Sequence, residues 1–352
     1  MRVGILTFHE IHNPGAFLQT LGTVTLLREL GYDPVVLDYT SATHRFSPLR
    51  IVTNWRLWIR PRSIIELFGR RAAFMKEQRY LPLSRKYLTH LDLQREAFDA
   101  ILIGADIVWD YQASFLERDP VFFGKHLNAA KKIAFAASCG SAPAEQELPD
   151  YVKEGIRQMY AIGVRDENTR LLVERQGRNA ELICDPAFHL DDNRWSAPPV
   201  SQKPYLLVYG PTRHFAAEDV DQIKAYAREK QLKIKAVCYR QEWVDENDVC
   251  IGPFQWLGLI RAAQAVVTST FHGTVFSLKA GKPLAIIDNP HATVKLSAMH
   301  AALELDRVLL RPPRSLSDIL NRPLDTERTQ AVIQQWRKHA RRFIVTALEG
   351  AS

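Results

Sequence analysis

The chain has 352 residues, 46% of them hydrophobic and 24% charged, with four cysteines and a formal net charge of +7. That length exceeds what one hydrophobic core ordinarily serves, so two domains are expected, and the composition excludes collagen-like, mucin-like and disordered chains. The positive excess implies attraction to anions, whether phosphates, acidic sugars, nucleic acid or anionic lipid. Cys139, Cys184, Cys238 and Cys250 form no C-x-x-C pair and join no tight Cys/His cluster, so neither a disulfide framework nor a zinc site is indicated. The first residues, MRVGILTF, run straight into a strand without a signal peptide's layout, and no apolar stretch reaches the length of a membrane span. A cytoplasmic protein is the expectation.

Short β-rich apolar runs alternate with helix-length amphipathic stretches, which predicts parallel α/β layering. In the first half the predicted strands are Val3–Phe8, Pro34–Leu37, Ala100–Ile103, Lys132–Ala136, Ala161–Val164 and Leu182–Cys184, with helices over Ala16–Leu30 and Glu167–Gln176. The polar, proline-containing stretch Asp191–Pro204 reads as a linker. The pattern then restarts, with strands at Tyr205–Tyr209, Lys233–Val237, Ala265–Thr268 and Leu284–Ile287 and helices at Ala217–Gln231, Phe254–Ala263 and Gly273–Ala280. Two such units imply a cleft where the C-terminal strand ends of both face each other. The expected division is residues 1–195 as an acceptor-side domain, 205–315 as a donor-side domain, and 316–352 as C-terminal helices that can pack back on the first.

One segment departs from this pattern. His44–Tyr80 carries Arg45, Arg50, Arg56, Arg60, Arg62, Arg70, Arg71, Lys76 and Arg79 against Glu66 and Glu77, with Trp55, Trp58, Phe68 and Phe74 interleaved. The mixture suits an anionic membrane surface or a lipid-linked phosphate. It equally suits an amphipathic helix whose arginines face water, which is the simpler reading.

Four loops at predicted strand ends could carry chemistry. In Val266–Thr274 an apolar strand gives way to Ser269, Thr270 and His272 and to a helix opening near Gly273, a natural anion site with a proton-transferring imidazole. Ordinary helix capping explains the same residues. Thr7–Gly15 holds His9, His12, Asn13 and Gly15 ahead of a helix, without a G-x-G-x-x-G fingerprint and without the third ligand that a metal site needs. Asp106 follows an apolar strand and Gly104, where it suits a sugar hydroxyl, a base or a turn. Arg165 stands where a strand meets a helix; it can clamp a carboxylate or phosphate, or pair with Asp166 or Asp185.

Taken in order, the residues resemble the polysaccharide pyruvyl transferase family. The matches are Asn13-Pro-Gly15-Ala-Phe-Leu18-Gln19, Asp99 through Gly104-Ala-Asp106 to Trp109-Asp110, Ala136-Ala-Ser138-Cys-Gly140, Val164-Arg165-Asp166, Asp185-Pro186, Gly252-Pro-Phe254, Thr268 to Gly273 with Phe276-Ser277, and Lys282-Pro283. The resemblance implies two Rossmann-like domains facing across a cleft, as in GT-B glycosyltransferases, with phosphoenolpyruvate as donor, no cofactor and no metal. It implies a pyruvate ketal on a sugar of a bacterial surface or extracellular polysaccharide, or of its lipid-linked precursor. His272 matches the family's acid/base histidine and Arg165 its donor-binding arginine, with Lys295 a further donor candidate. Ser269, Thr270, Gly273 and Thr274 fall to the donor, and Asn13, Gly15 and Asp106 to the acceptor. The chain departs from the family pattern at Ala105 and Ile107, where Ser and Gln are usual, at Ser269-Thr270, where Asp-Ser is usual, and at Pro14.

Two other readings compete. A glycosyltransferase with a nucleotide-sugar donor would share the architecture, but the second domain lacks the paired glutamates at seven-residue separation that many retaining members use. A non-catalytic scaffold in a glycan assembly complex would bind acceptor without donor. Nucleic acid is not expected, because the basic charge lies in one aromatic segment and no recognition motif accompanies it.

Overall fold

The computed structural model describes residues 1–9, 12–39, 61–113, 118–198, 203–288 and 290–350. Glu10 and Ile11 of the first loop, residues 44–60 of the basic segment and residues 199–202 of the linker lie outside them.

Thirteen strands form two parallel sheets among the described residues. The first holds β1 (Arg2–Leu6), β2 (Asp33–Tyr39), β3 (Leu83–Tyr87), β4 (Ala97–Ile103), β5 (Asn128–Ala137), β6 (Ala161–Val164) and β7 (Glu181–Leu182), in the order β3-β2-β1-β4-β5-β6-β7. The second holds β8 (Tyr205–Tyr209), β9 (Lys233–Val237), β10 (Glu246–Asp248), β11 (Ala265–Thr268), β12 (Leu284–Ile287) and β13 (Leu309–Leu310), in the order β10-β9-β8-β11-β12-β13. Each order runs outward from its first strand on one side and then restarts on the other, as in a Rossmann fold. Strand order reverses between the parallel neighbours β1 and β4, and again between β8 and β11, leaving a crevice at their C-terminal ends. Every residue of β8 and β11 is buried, as helices on both faces of a parallel sheet require.

The helices that position the site are α1 (Pro14–Glu29), α2 (Pro61–Gln78), α3 (Glu167–Glu174), α4 (Ala217–Glu229), α5 (Pro253–Ala262), α6 (Phe271–Lys279), α7 (Pro290–Leu303) and α8 (Thr326–Glu349). α1 starts on the Asn13 cap with Pro14 at its first position, where the missing N–H costs nothing. It is buried on almost every side because it lies between its own sheet and the second domain, where Phe17 meets Phe254 of α5 with ring centroids 5.9 Å apart.

Three further contacts join the domains. Lys279 of α6 donates to the carbonyls of Ala187 (2.6 Å) and Leu190 (3.0 Å) and to the Asp192 carboxylate (2.6 Å). α8 returns to the first sheet, stacking Phe343 on Phe135, while its Leu348 carbonyl accepts from Lys131 at 2.6 Å. α2 crosses the other way: Glu66 accepts from Arg240 (2.7 Å) and Glu77 from the Phe254 N–H (2.8 Å). One apolar core therefore runs through both halves, from Val3, Phe17 and Phe135 to Tyr209, Trp256 and Phe276.

Candidate active site

The site is assembled from the two crevices. At the end of β1, Thr7 donates to the Ala105 carbonyl (3.1 Å) and accepts from Gln19 of α1 (2.9 Å), tying the first loop to the loop after β4. There Asp106 adopts φ 69°, a left-handed conformation that aspartate tolerates better than most residues. The Ser138 N–H donates to its carbonyl at 3.0 Å, which fixes the turn and aims the carboxylate at Arg165.

Arg165 leaves the end of β6 and is 3% exposed. Its two terminal nitrogens donate to Asp185 Oδ2 (2.8 Å) and Asp106 Oδ1 (3.0 Å), while its Nε finds no partner among the described residues. The Phe271 ring of the second domain lies 4.3 Å from the guanidinium carbon. Burial opposes the charge on Arg165, but the two carboxylates outweigh it and raise its pKa further. Burial likewise opposes the charge on Asp185; the His272 imidazole and Arg165 beside it nevertheless hold this carboxyl well below the usual range. Asp106 is also lowered against its burial, by Arg165, His272 and Lys295.

α6 starts at Phe271, two residues before the expected start at Gly273, so His272 lies in its first turn and not in the preceding loop, and it is buried against α1. A Cβ on Gly15 would overlap its ring, so only glycine lets the two domains approach this closely. His272 Nε2 stands 3.8 Å from Asp185 Oδ1, beyond hydrogen-bond distance, and has no hydrogen-bond partner among the described residues. Lys295 reaches in from α7, which also meets α3 through a Ser297–Glu167 hydrogen bond of 3.2 Å. Burial lowers the Lys295 pKa, and Asp106 partly restores it.

The structure thus brings His272, Arg165, Asp106, Lys295 and Gly15 to one place, and it changes the part that other residues can play. The Gly273 N–H, expected to face a phosphate, donates to Thr270 Oγ1 (3.0 Å), and the Thr274 N–H donates to the Thr270 carbonyl (3.1 Å). Both donors belong to the cap of α6 and are not free for a ligand. Thr270 is that cap, and Ser269 bonds His214 Nδ1 at 2.9 Å. Asn13, expected at the acceptor, uses its carbonyl oxygen to cap α1 by accepting from Gly15 (2.9 Å) and Ala16 (3.4 Å). Of the two parts open to Arg165, a ligand clamp or an ion pair, the structure shows the pair with Asp185 and adds a second with Asp106. Asp185, anticipated only as a partner of Arg165, also faces His272, and His214 was not anticipated at all. The Asp185-Pro186 pair was legible as a match to the family and as a partner for Arg165, but nothing in it pointed to His272; His214 has no motif around it.

Two Rossmann-like domains meeting across this cleft make the fold GT-B-like. The UDP-GlcNAc 2-epimerase of Methanocaldococcus jannaschii is similar over 96% of this chain and 100% of its own, at TM-score 0.53 and 8% identity, a likeness of fold alone. The E. coli heptosyltransferase WaaC solved with ADP (TM-score 0.45, 12% identity, 97% of this chain and 100% of that one) is more distant. So is a mutant O-GlcNAc transferase of Thermobaculum terrenum (0.44, 12%, 99% of this chain), of whose length the chain spans 64%. No curated protein matches the chain. The family model for polysaccharide pyruvyl transferases matches residues 13–291, and the chain belongs to that family.

Proposed function

We propose that the protein transfers the pyruvyl group of phosphoenolpyruvate to two hydroxyls of one sugar in a bacterial surface or extracellular glycan, or its precursor, without metal or cofactor. The observation that supports this most is the buried His272 Nε2, which lacks a hydrogen-bond partner among the described residues and stands beside Asp185. An imidazole so placed can give and take a proton at a bound substrate.

In this mechanism His272 delivers a proton to the methylene carbon of the enol phosphate. The neighbouring carbon becomes electrophilic, a sugar hydroxyl bonds to it, and the phosphate departs with the C–O electron pair. The second hydroxyl then closes the ketal, and the two hydroxyl protons end on the site base and the released phosphate. Lys295 faces the anionic donor. Arg165, held by Asp185 and Asp106, offers its Nε and fixes the frame, and Asp106 meets the acceptor.

The test is incubation with phosphoenolpyruvate and a panel of sugar and lipid-linked acceptors, reading inorganic phosphate and product mass. Phosphate release that requires acceptor, with a product heavier by one pyruvate less one water, is expected. Turnover of UDP- or GDP-sugars with no use of phosphoenolpyruvate would sink the reading.

A further inference from the structure

α2 has two faces of opposite character. Inward, Glu66 meets Arg240, Arg70 the Cys238 carbonyl, and Glu77 the Phe254 N–H, while Phe74 packs on the His12 ring with centroids 5.6 Å apart. Outward, Ile65, Phe68 and Met75 are 70%, 64% and 57% exposed, at a spacing that puts them on one stripe. Arg71 and Lys76 are exposed on the same side, as is Arg79 just beyond the helix end. Both acidic residues of the helix therefore face protein, and the exposed charges of its outer face are cationic.

A helix that merely faces water places acids and bases together at four-residue spacing and keeps large apolar side chains off its outer face. Apolar residues mixed with cations, and acids withdrawn, complement the boundary between the anionic headgroups and acyl chains of a bilayer. The inward contacts anchor α2 to the second domain, so its outer face can engage a surface without leaving the fold.

We propose that the outer face of α2 is a docking surface for an anionic membrane. Phe74, on the inward face, packs on the loop that leads to Gly15 beneath His272, so docking would bring that loop of the site close to the lipid surface and to an acceptor carried on it. That last consequence rests on the pyruvyl-transfer reading; the docking itself does not.

The test is co-sedimentation of the full chain with vesicles of phosphatidylcholine alone and of phosphatidylcholine mixed with phosphatidylglycerol. Binding to the mixed vesicles alone, falling steeply with added salt, is expected, and this salt series needs no variant. Phe68→Glu with Met75→Glu should cut binding by about tenfold or more, because each loses an inserted apolar side chain. Arg71→Glu with Lys76→Glu should cost roughly fivefold or more per charge. Arg228→Glu with Lys230→Glu, at the C-terminal end of α4, should change nothing. Equal binding to neutral vesicles, no binding at all, or full binding by the Phe68/Met75 variant would overturn the proposal. So would a dimer that this variant dissociates in the absence of lipid binding, since the occupant would then be a second copy of the chain.

Discussion

The second sheet repeats the strand order of the first as far as its sixth strand, and the first adds β7 at one edge; their C-terminal strand ends are furnished differently. At the ends of β4, β6 and β7 the first domain places Asp106, Arg165 and Asp185, charged groups that satisfy one another within hydrogen-bond distance. At the ends of β8 and β11 the second domain places His214, Ser269, Thr270 and His272, hydroxyls and imidazoles grouped around a helix start. A charged lattice is costly to break and holds its shape; an imidazole with a free nitrogen can move a proton. Two sheets of closely similar topology thus supply two sockets, and the side chains divide framework from chemistry between them.

His272→Ala tests that division most severely. Losing a positioned acid/base group should lower turnover by about a thousandfold, within the usual 10²–10⁴ range, with little change in melting temperature. Acceptor-dependent phosphate release and a thermal melt measure both. Near-normal turnover would remove the imidazole from the mechanism.

The opposite residue should fail differently. Arg165→Ala leaves Asp106 and Asp185 buried without their cation, which should cost about 3–5 kcal/mol of stability. Lys295→Ala, by contrast, should leave the fold standing and raise the KM for phosphoenolpyruvate by roughly tenfold to a hundredfold, the scale of one charge-assisted contact. If Arg165→Ala melts normally and only its KM rises, the framework role passes to another group and the contrast between the sockets dissolves.

The contact between the domains carries its own titration. Burial lifts the Glu77 carboxyl from its ordinary 4.5 to about 7, against the pull of the Phe254 N–H it accepts from. A folded-state value above the unfolded one means that the folded form holds the proton more tightly. Its contribution is therefore complete below about pH 4.5 and is lost as pH rises through about 7. Glu77→Gln keeps an acceptor for Phe254 and removes the titration. Relative to the parent, it should gain about 1 kcal/mol, after discount for partial exposure, between pH 5 and pH 8. Melts at both pH values check this, and a pH-independent difference would refute the linkage.

The central strands of both sheets could be read from the sequence because each is a short buried run, as at Ala161–Val164, where expectation and structure coincide. β3, β10 and β13 could not. They lie at sheet edges or last in line, and the sequences LSRKY, END and LL lack the apolar run that marks a strand. α2 was legible only as basic and aromatic composition, because its inward partners Arg240 and Phe254 are far away in the chain. The same holds at the site. His272, Arg165 and Asp106 stand in recognisable loops, but that Asp185 would face His272 as well as Arg165 depends on how the domains close. Capping and ligand binding draw on the same residue types, and the sequence cannot separate them. Only the hydrogen bonds assign the Gly273 N–H to Thr270.

Asn13 is where that ambiguity can be resolved at the smallest energetic scale. Asn13→Ala removes the cap of α1 and should cost about 1 kcal/mol, read as a lower melting temperature. Asn13→Ser restores a capping oxygen but no amide N–H. If Asn13 acts through the cap alone, stability and activity should return together in the Ser variant. If the amide also meets the acceptor, stability should return while the acceptor KM stays raised by several-fold, the cost of one neutral hydrogen bond. The first outcome would leave Asp106 to meet the sugar from the charged socket without Asn13. The second would give the first domain a share of recognition in addition to framework, and would narrow the contrast with the second.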